Sequence, residues 1–102
     1  MITVVKINRA RNNFTDYIGR KWAELEGTIF GNPFHLGPDG DRTEVLLKFA
    51  EYWYAEEQRW LRMMAYIFLQ PNAVLGCWCH PLACHGWIIA GYLNWKYMEQ
   101  KS

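Results

Sequence analysis

Ala73-Val74-Leu75-Gly76-Cys77-Trp78-Cys79-His80-Pro81-Leu82-Ala83-Cys84-His85-Gly86 decides how this chain is read. Its first six residues form a short apolar run. Gln70-Pro71-Asn72 bounds it on one side and Pro81 on the other, which predicts a buried strand. Beyond Gly86 the pattern changes period. Trp87, Ile88, Gly91, Tyr92 and Trp95 recur at helical spacing, so a helix is expected over Trp87 to Met98.

Upstream, Thr3-Val4-Val5-Lys6-Ile7 is β-branched between polar flanks and reads as a strand. Asp16-Tyr17-Ile18-Gly19 reads as a short second strand. Lys21 to Phe30 is ambiguous, with Trp22, Leu25 and Ile29 near helical spacing. A rigid loop follows, punctuated by Gly31, Pro33, Gly37, Pro38 and Gly40. Asp41 is a good helix N-cap, because Glu44 three residues later completes a capping box. The stripe Leu46, Phe49, Trp53, Trp60, Met64 and Ile67 then supports helix to about Phe68, either continuous or broken near Ala55 to Gln58. The order is strand, strand, loop, helix, strand, loop, helix. The expected fold is one α/β domain over residues 1–102, a short and mainly parallel sheet flanked by helices, Rossmann-like in outline.

Composition narrows the function classes. The chain has 102 residues, of which 51% are hydrophobic and 17% aromatic, enough for a core and unlike a disordered segment. A formal net charge of +1 disfavours duplex nucleic acid as partner, since neutralising phosphates needs clustered cations. Six tryptophans exceed what so small a core hides, which points to a homo-oligomer or a pocket lined by indoles. No run is apolar enough to span a bilayer and no signal-peptide pattern opens the chain, so no membrane partner and a cytoplasmic location are expected. In that compartment an odd set of three cysteines reads as thiols.

All three cysteines and two of the three histidines fall between Gly76 and Gly86. Cys77, Cys79, Cys84 and His85 have the donor types of a zinc site. On a regular strand, however, Cys77 and Cys79 would stand about 7 Å apart. Thiolates sharing a zinc lie only about 4 Å apart. The metal-free reading is therefore preferred, with no cofactor. Cysteine is also commonly a small buried hydrophobe, which suits Cys77. Cys84-His85-Gly86 sits where the last helix begins, and unpaired N–H groups there favour anions and a thiolate. Upstream, Gly31-Asn32-Pro33-Phe34 is either a stiff turn with a phenylalanine plug or a loop that lets backbone approach a ligand while Asn32 holds it. Arg42 in a first helical turn opposes the helix dipole, which tilts it toward an anionic ligand. No phosphate-binding loop, dinucleotide fingerprint or HExxH motif is present.

Tyr17-Ile18-Gly19-Arg20, Gly31-Asn32-Pro33-Phe34, Gly40-Asp41-Arg42, Gly76-Cys77-Trp78-Cys79-His80-Pro81 and Cys84-His85-Gly86 occur together and in order. In these motifs the chain resembles domain of unknown function family 4326, small proteins of bacteria and their phages. The resemblance implies an α/β domain and no established activity. With the reading of the residues it marks Arg20, Asn32, Phe34, Arg42, Cys84, His85 and Gly86 as ligand-binding candidates. Lys21 to Ile29 looks like an insertion relative to the family, and Trp87 stands where the family has an acidic residue. The expected function is binding of a nucleotide or other phosphorylated ligand. A phage sponge that sequesters a host nucleotide signal, and so evades immunity, is the role the resemblance suggests. The alternative is a Cys-His or metal-dependent hydrolase or transferase acting on a nucleotide-like substrate.

Overall fold

The computed structural model describes residues 1–8, 13–19, 28–78 and 84–101. Three strands, β1 (Thr3–Lys6), β2 (Asp16–Tyr17) and β3 (Val74–Cys77), form one parallel sheet in the order β1-β3-β2. The central strand is the apolar run read from the sequence. Its register pairs Val4 with Leu75 and Lys6 with Cys77 on one side, and Asp16 with Leu75 on the other. A strand flanked on both sides is buried, which is why Leu75, Gly76 and Cys77 carry no charge and little polarity.

Helix α1 (Arg42–Tyr54) begins at the expected capping box: the Glu44 N–H donates to Asp41 Oδ1 at 2.9 Å, and the Asp41 N–H donates to Glu44 Oε1 at 3.1 Å. The break is a 3₁₀ turn at Glu56–Gln58, after which α2 (Arg59–Phe68) continues. Arg62 stabilises the break by donating through Nη1 to the carbonyls of Trp53 and Ala55. The turn also changes which face points inward. Val45, Phe49 and Trp53 are the buried face of α1, whereas Leu61 and Ala65 are the buried positions of α2. Of Trp53 and Trp60, the indoles expected to share an oligomer contact surface, Trp53 is fully buried in the core, whereas Trp60 is exposed, as is Ile67. The turn at Glu56–Gln58 resets the helical phase between the two halves of the Leu46 to Ile67 stripe.

The last helix, α3 (His85–Lys101), starts two residues before the expected Trp87 and packs on β1 and β3. Asn94 ties it to the sheet, accepting from the Ile2 N–H at 2.7 Å and donating to the Ile2 carbonyl at 3.0 Å. Tyr97 ties it to α2, its hydroxyl donating to Leu69 O at 2.8 Å. One core joins Ile18, Phe49, Trp53, Leu61, Leu75, Ile89 and Leu93. No helix among the described residues is long and apolar enough to cross a membrane.

Candidate functional site

Strand alternation sets the geometry. Side chains two apart on a strand share a face, so Leu75 and Cys77 point the same way while Gly76 faces the other side. A Cβ on Gly76 would meet Phe14 and Ile7 on that other side. Cys77 thus faces the start of α3, and there it meets Cys84. The two sulfurs are joined as a disulfide with Cα atoms 7.4 Å apart. This corrects the expectation of three thiols. Strand end and helix start are brought to one point by the short return between them, seven residues in sequence, and spacing along the chain does not reveal that meeting. Cys79 and His80 lie outside the described residues, as do Arg20 and most of the Lys21 to Ile29 segment.

His85, the first residue of α3, is buried beside this pair. Its Nδ1 stands 4.0 Å from Cys84 Sγ, and its Nε2 lies 2.9 Å from the Ile18 carbonyl. A carbonyl only accepts, so Nε2 carries a proton and donates it to Ile18 O, while Nδ1 is the ring nitrogen facing the Cys84 sulfur. The ring also stands edge-on to Phe49, with centroids 5.0 Å apart. The Gly86 N–H donates to Cys84 Sγ at 3.4 Å, so the sulfur caps an otherwise unpaired helical donor.

Gly86 itself has a packing role. A Cβ there would lie 2.8 Å from Ile18 Cδ1 and 3.2 Å from a Val4 methyl, so the bare glycine lets α3 settle onto the sheet. The Gly31 loop reaches the same edge. A Cβ on Gly31 would be 3.2 Å from the Gly19 carbonyl oxygen, and the Thr28 N–H donates to that same oxygen at 3.2 Å. Asn32 is half-buried, and its Oδ1 accepts from the Phe34 N–H at 2.9 Å, the turn anticipated for this motif. Phe34 packs edge-on against Tyr52, with centroids 6.1 Å apart, and Tyr52 in turn meets Phe49.

The structure therefore gathers Cys84, His85 and Gly86 with the Gly31–Phe34 loop around the carboxyl end of β2. Arg42 stands farther off. It opens α1 seven residues before Phe49, about 10 Å along a helix. Phe49 meets His85 and Trp53 meets Tyr92, so α1 and α3 run in the same sense and Arg42 lies beyond the start of α3. Its guanidinium makes no hydrogen bond or ion pair with any described residue. Sequence reasoning missed the Ile18 carbonyl and Phe49 as neighbours of His85. Neither carried a signal, since one is backbone and the other reads as ordinary core.

These features define a small parallel α/β domain with a buried Cys-His cluster at the carboxyl edge of its sheet. The family model described as Domain of unknown function (DUF4326) matches residues 4–95, and the chain belongs to that family. No curated protein and no solved structure matches it.

Proposed function

We propose that this protein binds a small anionic ligand of the nucleotide class at the carboxyl edge of its sheet and holds it without turnover. The observation that carries the reading is the common edge itself: three parallel strands end where α3 begins and where the Gly31–Phe34 loop folds over Gly19. Ligands of open α/β sheets bind at that edge. Arg42 adds a cation that no described residue neutralises. The helix starts contribute less than the sequence alone promised, because Asp41 and Glu44 already cap α1 and Cys84 Sγ accepts from Gly86. Sequestration of a phage host's nucleotide signal remains the role suggested by family resemblance. Self-association belongs to the same proposal, since Trp60, Met63 and Ile67 stand exposed along α2.

The test is a panel of nucleotides scored by thermal shift, followed by heat release and analysis of what was bound. A ligand at a hundredfold its Kd stabilises by about 2.7 kcal/mol. Arg42→Ala should weaken binding by roughly ten- to a hundredfold, as for a charge-assisted contact of about 1.5–3 kcal/mol. Intact ligand recovered from the wild type supports sequestration. A converted product would favour an enzyme, and no stabilisation by any nucleotide would remove the ligand class.

A further inference from the structure

The geometry points to a second property, independent of that ligand: with the disulfide opened, Cys77 Sγ, Cys84 Sγ and His85 Nδ1 form a site for a thiophilic divalent cation of the zinc class. One ligand atom from each of these residues lies within 4.8 Å of the others, and all three residues are buried, at 3%, 2% and 8% exposure. Ligands on one tetrahedral zinc, with bonds of about 2.3 Å to sulfur and 2.0–2.1 Å to nitrogen, stand roughly 3.5–4 Å apart. The 4.0 Å between Cys84 Sγ and His85 Nδ1 matches that spacing.

The backbone supports the same conclusion. Cys77 at the end of β3 and Cys84 before α3 stand with Cα atoms 7.4 Å apart, near enough for both sulfurs to reach one ion once the disulfide is opened. Outer groups are in place as well. A ligating histidine typically donates its other ring N–H to a carbonyl or carboxylate, and His85 Nε2 does so to Ile18 O at 2.9 Å. The Gly86 N–H is aimed at Cys84 Sγ, where it would stabilise a thiolate. Two thiolates, a neutral imidazole and a dication sum to zero charge, which suits a buried position. Soft sulfur donors select zinc-like ions over magnesium or calcium.

Cys77 and Cys79 would stand too far apart to share an ion only on a strand that continued past Cys77. The strand ends at Cys77, and the close sulfur is that of Cys84. The fourth position of the tetrahedron is not assigned. Loading balances simply. A dithiol reductant gives two electrons and two protons to the disulfide and becomes a cyclic disulfide itself. The dication then displaces both thiol protons to solvent.

The experiment titrates cobalt(II) into the full chain, reduced with a dithiol and desalted without oxygen. One cobalt per chain is expected, with a thiolate-to-cobalt charge-transfer band and the visible bands of a tetrahedral ion. His85→Ala should weaken cobalt binding by more than the roughly ten- to hundredfold typical of outer-group losses. Cys77→Ser and Cys84→Ser should each abolish the charge-transfer band of a two-thiolate site. Wild-type protein gives a readout that needs no variant: zinc should protect both Cys77 and Cys84 from alkylation, seen by mass spectrometry. Failure of the reduced wild type to take up a stoichiometric ion, or alkylation of Cys77 and Cys84 undiminished by zinc, overturns the site. Neither result bears on nucleotide binding, which the thermal-shift panel reports separately.

Discussion

Trp53 and Trp60 are seven residues apart, two turns of an unbroken helix, yet Trp53 is fully buried and Trp60 is 51% exposed. The inner region around Trp53 is continuous with the site. Trp53 stacks on Phe49, Phe49 meets His85, and His85 holds the end of β2 through Ile18. The outer region around Trp60, Met63 and Ile67 faces away from that core. The difference shows that hydrophobicity alone does not place a side chain. A three-residue turn between α1 and α2 changes the helical phase, and with it which of two similar indoles packs behind the Cys-His cluster.

The most severe way to break this comparison is to hollow the inner region. Phe49→Ala should cost about 3–5 kcal/mol, as large-to-small changes in fully buried aromatics do. Urea denaturation checks it. A loss below about 1 kcal/mol would show that Phe49 does not couple α1 to the His85 junction. Next comes Gly86→Val, which adds methyl groups where even a Cβ would lie 2.8 Å from Ile18. Overpacking of this kind costs about 1–3 kcal/mol, and the thermal midpoint of the variant should fall accordingly. An unchanged midpoint would mean that α3 can lift off the sheet freely.

Tyr97 lies between the two regions, bonding α3 to the end of α2. Tyr97→Phe should cost about 0.5–1.5 kcal/mol, the net worth of a typical hydrogen bond. Burial first, and then the neighbouring Tyr66, hold the Tyr97 phenol above its ordinary 10.0. The folded chain keeps this proton after the unfolded chain has lost it. The associated stability is therefore full below about pH 10 and declines as pH rises through the folded value. Stability measured from pH 9 upward should fall less steeply in Tyr97→Phe than in wild type. Identical slopes would remove Tyr97 as the cause.

The smallest effect is expected outside. Trp60→Ser should change the stability of the monomer by no more than about 0.5 kcal/mol, as surface substitutions usually do. Its consequence should instead be a lower mass by light scattering, if a second copy covers α2. Wild-type protein that is monomeric at high micromolar concentration would remove self-association from the proposal.

What the sequence determined by itself was whatever depends on neighbours within a few residues. The Asp41–Glu44 capping box, the break at Ala55 to Gln58 and the apolar run of β3 all rest on local hydrogen bonding or short-period patterning, and each stands where it was read. The ordering of elements followed, and with it the α/β class, because a helical stretch separates β3 from the two strands before it, a crossover that favours parallel pairing. The position of a Cys-His cluster was legible too, since those residues crowd together in the chain. Its wiring was not. That Cys84 meets Cys77, that His85 Nε2 donates to Ile18 O, and that Gly86 is bare to let Val4 and Ile18 approach all depend on how α3 returns across the sheet. Ile18 and His85 are 67 residues apart, and no local periodicity encodes a contact over that distance. The inward face of α2 was hidden for a related reason: the extended backbone at Ala55 (φ −63°, ψ 146°) resets the phase of every side chain that follows, and only packing against the finished core selects that conformation.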